Sequence, residues 1–121
     1  MADSLLNNPV YLHLATNHLP VIGLGIAWIV LVYGALARDR ACAILGMVLV
    51  CGTAGSTLLV VEAGEEAYRM VLPALDGPAR ERLDRHADLA GEFAYGLYLL
   101  AGLAMVGALG AILKPTMTTP A

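Results

Sequence analysis

The chain has 121 residues, 59% of them hydrophobic and 14% charged, with a mean hydropathy of +0.72. Soluble domains are nearer half apolar with about a quarter of their residues charged. Here the charges fall in short patches between long uncharged runs, the pattern of a polytopic membrane protein, so an ordinary soluble enzyme is the least fitting class. The net charge of -3 and the lack of a basic stripe argue against nucleic acid as a partner, and the length suits one membrane domain over residues 1–121.

The opening MADSLLNNPV has no basic segment and no small-residue cleavage pattern follows it, so no signal peptide is expected to be removed. The first apolar run covers residues 9–37. Asn8 is placed to cap it and Pro9 suits the first helical position. Its length as a helix is about 43 Å, more than the roughly 30 Å of a hydrocarbon core, so its first turns, with His13, are expected to project beyond the core. Pro20 predicts a kink just past His18.

Arg38, Asp39 and Arg40 make a short polar turn. Residues 41–61 are the second span, with a small-residue centre, CGTAGST, that suits close helix packing in a membrane. Cys42 and Cys51 both lie in this run. On one helix they are about 13 Å apart along the axis, too far to bridge each other, and are expected to be small apolar packing residues. Residues 62–86 are a polar helical loop, expected as two helical pieces separated by Pro73 and the Asp-Gly-Pro turn at 76–78. The second piece, started by Pro78, continues through His86 into the third span, residues 87–113. That span carries Gly91, Gly96, Gly102, Gly107 and Gly110. A polar tail follows.

The expected fold is therefore all-α, an integral membrane bundle of three transmembrane helices with a short helical polar loop between the second and third. Arg38, Arg40 and Lys114 flank the spans on one side, which the positive-inside rule assigns to the cytoplasm. The opposite loop carries four arginines, which count against that assignment, but also six acidic residues. The expected location is a bacterial inner membrane, with the chain crossing it several times.

Three spans bring the start of span one, the end of span two and the start of span three to the same face. All three histidines, His13, His18 and His86, belong to that face, with Glu62, Glu65, Glu66, Asp88 and Glu92. Ionisable groups near spans are costly and tend to mark functional sites. Glu62 and Glu66 share a helix face, as do Asp88 and Glu92. His13 and His18 are about 140° apart around a regular helix, so unless the helix is distorted one faces the bundle and the other a neighbouring chain or the interface. Imidazoles suit zinc, copper and iron, and two helices each giving a His can hold a haem. The expected ligands are His18 and His86, then His13, with Glu62, Glu66 or Glu92 completing a metal shell or orienting a ligating His. The bland alternative is interfacial decoration. No HExxH, paired CxxC, phosphate loop or GxSxG elbow occurs.

The segments HLATNHLPVIG, GEEA and RHADLA together resemble the DUF2231-type small bacterial membrane proteins. The resemblance runs from about residue 11 to about residue 95 and falls on His13, Asn17, His18, Pro20, Gly23, Glu65, Glu66, His86 and Asp88. The acidic patch is shorter here, and His-Ala-Asp stands where His-Glu is more usual. The resemblance implies the membrane topology and, loosely, a haem or metal role. Three functions follow as expectations: a redox protein holding haem b or a transition metal, a structural subunit of a larger membrane complex without its own cofactor, or a small transporter. The Gly-rich spans have packing surface to spare, so self-association or other membrane subunits are expected besides the lipid bilayer.

Overall fold

A computed structural model describes residue 4 and residues 6–114. The described residues form helices and turns, with no strand among them. The helices are α1 (Pro9–Thr16), α2 (His18–Leu36), α3 (Arg40–Gly55), α4 (Thr57–Val71) and α5 (Gly77–Leu113), with a 3-10 turn at Leu72–Ala74. They make three rods long and apolar enough to cross a membrane: Pro9–Leu36, Arg40–Ala74 and Gly77–Leu113. The tail beyond Lys114 lies outside the described residues.

Asn8 caps α1, its Oδ1 accepting from the Val10 amide at 3.0 Å with Pro9 at the first helical position. The break in the first rod falls at Asn17, upstream of Pro20 and not past His18 as the sequence suggests. A proline ring crowds the carbonyl four residues before it and returns no N–H to it. That carbonyl belongs to Thr16, so the disturbance runs backwards along the chain. The second rod breaks at Ser56. There the Thr53 hydroxyl donates to the Leu49 carbonyl at 2.7 Å and the Ser56 hydroxyl to the Thr53 carbonyl at 2.5 Å. Such back-bonding bends helices. Glu62 therefore sits inside α4, and what reads as a polar loop is mostly the outer end of two long helices. α5 alone has 37 residues, about 55 Å against a hydrocarbon core of about 30 Å.

The turn between the first two rods is a Schellman-type stop. Arg38 takes a left-handed φ of 55°, and the Asp39 amide donates to the Gly34 carbonyl at 2.9 Å. The Asp39 carboxylate then accepts from the Cys42 amide at 3.1 Å and starts α3. Beyond the turn the rods run antiparallel in one register. Gly34 lies against Ala43, Leu31 against Gly46, Gly23 against Thr53 and His13 against Gly64. Side chains at His13, Pro20, Ala27 and Gly34 recur every seven residues, the period of a left-handed helix pair; Pro20, Ala27 and Gly34 are buried.

The second rod is the centre of the bundle. α3 packs against both α2 and α5, while α2 and α5 scarcely touch. The buried residues are almost all small: Ala27, Val50, Ala54, Ala63, Ala67, Ala94, Ala104 and Ala108. Large side chains such as Trp28, Phe93, Leu103 and Val106 point outward, the arrangement expected where the surroundings are lipid and helices cohere by backbone approach. Cys42 and Cys51 are unbridged and half-buried. At the turn end, the Arg40 guanidinium donates to the carbonyls of Ala111 and Lys114. It closes the last turn of α5 and puts Arg38, Arg40 and Lys114 at one end of the molecule.

Three outcomes are expected. Alanine at Gly34 or Gly46 places a Cβ against the backbone of the facing helix and should destabilise the protein by about 1–3 kcal/mol. Alanine at Gly25 or Gly102, where nothing lies within 4 Å of the added carbon, should be neutral or stabilising, as read by thermal unfolding in detergent. Compartment reporters fused to the two ends should report opposite sides of the membrane.

Candidate functional site

α2 has 19 residues and α3 has 16, about 28 Å and 24 Å of helix. Measured from the Arg38 turn, the breaks at Asn17 and Ser56 therefore lie near the far edge of a hydrocarbon core of about 30 Å. α1, α4 and the first half of α5 lie beyond the two breaks as a helical cap. The candidate residues other than His18, which opens α2, are gathered there.

His13 is held from two sides. Its Nδ1 is 3.1 Å from the Val60 carbonyl oxygen on the neighbouring rod. A carbonyl oxygen only accepts, so Nδ1 carries a proton, and in the neutral ring Nε2 is the nitrogen with the lone pair. The ring lies flat enough on α4 that a Cβ at Gly64 would come within 2.9 Å of it. The glycine of GEEA is thus the seat of His13. The ring of His86, from α5, stands edge-on to His13 with centroids 6.4 Å apart and planes at 83°. This pair joins span one to span three above the level where α2 and α5 separate.

His18 belongs to a different surface. The break at Asn17 lies between the two histidines of the first rod. His18 Nδ1 is 3.3 Å from the Leu14 carbonyl, so it too carries its proton on Nδ1. Its side chain lines an open groove with Ala15, Ile22, Gly52, Thr53 and Ser56. One histidine of the first rod faces the bundle and the other faces outward, the second of the two arrangements that the spacing allows. Glu62, Glu65, Glu66, Asp88 and Glu92 are exposed on α4 and α5. Among the described residues, no group of three or more His, Cys, Asp or Glu side chains is close enough to hold one metal ion.

The cap has one polar tie that the sequence reading does not contain. The Tyr68 hydroxyl of α4 donates to the Asp84 carboxylate of α5 at 2.5 Å. It fixes the outer end of α5, and with it the helix that carries His86. The pair is sixteen residues apart across a turn, and only the turn geometry at Gly77, with its φ of 48°, brings the two together. Gly64 and the Val60 carbonyl were equally invisible, since a glycine beside two acidic residues reads as loop chemistry and a backbone oxygen has no sequence signature.

Alanine at Gly64 is expected to push the His13 ring off its seat and break its bond to Val60. The check is the His13 Nδ1 proton resonance in labelled protein: it should persist in wild type and exchange rapidly in Gly64→Ala, with unchanged helix content.

Comparison with protein-family models, curated proteins and solved structures finds no match to this chain.

Proposed function

We propose that the chain is a redox protein of a bacterial inner membrane that holds haem b or a single transition metal ion between His13 and His86. The pairing of two imidazoles from spans one and three carries this reading. His13 and His86, with ring centroids 6.4 Å apart, would hold the group through their imidazole nitrogens. The Val60 carbonyl holds His13 in the tautomer whose Nε2 can ligate, the usual way a second shell orients a ligand. Bound iron or copper would supply one-electron chemistry at the membrane edge. The chain's own part is to place two imidazoles from different spans, the first of them seated against Gly64.

A second reading is a structural subunit, associating with itself or with other membrane subunits. The observation in its favour is the apolar cleft between spans one and three, lined by Leu24, Trp28, Leu31, Met47, Val50 and Leu100 and about 500 Å³ in volume. A helix of another chain would fill such a cleft.

The two readings separate on one preparation. Protein purified in mild detergent and analysed by absorption and elemental analysis should show a Soret band, or near-stoichiometric metal without one. His13→Ala and His86→Ala should abolish loading, and His18→Ala should leave it intact. Wild-type protein that carries neither, and takes up neither haem nor copper, zinc or iron on titration, overturns the redox reading in favour of the structural subunit. Because only neutral imidazole ligates, loading should weaken on acidification.

A further inference from the structure

Two buried oxygen atoms in the seam between the first two rods have no hydrogen-bond partner: Asn17 Oδ1 and Thr57 Oγ1. Thr57 is 4% exposed, and each atom lies at a helix break. In the common register, Gly23 faces Thr53 and His13 faces Gly64, so Thr57 lies level with Pro20. Asn17 is three residues from Pro20, about one helical turn, or roughly 5 Å, along the axis. A third acceptor is close by in the chain, because Pro20 has no N–H to return to the Thr16 carbonyl.

We propose that one water molecule is bound between Asn17 and Thr57, inside the seam at the edge of the hydrocarbon core. It donates to Asn17 Oδ1 and to the Thr16 carbonyl and accepts from the Thr57 hydroxyl. Three bonds are the usual complement of a buried water. With hydrogen bonds of about 2.8 Å on each side, a water reaches between oxygens up to roughly 5.5 Å apart, a reach longer than the axial offset of about one turn between the two levels. A metal cation fits the same oxygens less well. Neither rod has a carboxylate between residues 9 and 38 or between residues 40 and 61, and a desolvated cation there would have no counter-charge. The site is independent of the His13–His86 reading and uses none of its residues.

A double-mutant cycle on the full chain in lipid nanodiscs tests this, using the thermal unfolding midpoint. Thr57→Val is close to isosteric and Asn17→Leu removes the other partner. With a bridging water, each substitution lowers the midpoint by a few degrees, the double variant loses no more than the worse single variant, and Thr57→Ser restores wild-type behaviour. If the two oxygens are simply unpaired, each substitution removes a buried orphan. The midpoints then rise, the effects add, and the proposal is overturned. A high-resolution structure in lipid gives a second readout: density for one water in reach of both oxygens supports the proposal, and a direct Asn17–Thr57 bond or a bound ion overturns it.

Discussion

The fold depends on how closely two backbones approach. Gly34 lies against the main chain of Ala43, and Gly46 against that of Leu31, so the first two rods meet with almost no side-chain material between them. In lipid, apolar burial provides little drive for helices to associate, because hydrocarbon tails are as apolar as leucine. Close van der Waals contact along the seam takes its place. The seam then sets the register, and the register carries through to the outer ends of the rods: His13 meets Gly64 because Gly34 meets Ala43, twenty-one residues away along each rod.

The same economy explains the two breaks. A straight pair of rods this long would carry its polar ends stiffly out into water. Pro20 on one rod and the Thr53–Ser56 hydroxyls on the other loosen the helices at nearly the same level. The pairing continues past both breaks, since α1 packs on α4 and His13 meets Gly64. His13 and His18 end on different surfaces, as their five-residue spacing already requires of a regular helix.

The class of fold was readable because membrane spans are written in composition and length, and because Asn8-Pro9, Arg38-Asp39 and Asp76-Gly77-Pro78 are local signals with local causes. The position of the first break was misjudged by a few residues, since a proline acts on a carbonyl one turn upstream. The face that collects the histidines followed from topology alone. Which two of the three come together did not, because that choice depends on azimuth around a broken helix and on a glycine across the seam. Exposed carboxylates such as Glu62 and Glu66 share a helix face, as their spacing requires, but spacing says nothing of whether that face meets another helix.

Span two alone holds span three in the core, since α2 and α5 scarcely touch. Mechanically the molecule is a tight hairpin with a leaf attached along one edge. The Arg40 clamp on the Ala111 and Lys114 carbonyls pins that leaf at one end, and the Tyr68–Asp84 bond pins it at the other. His13 and His86 face each other across the opening side. A ligand shared by that pair would tie the free edge of the leaf to span one, at the end of the cleft lined by Leu24, Trp28 and Leu100.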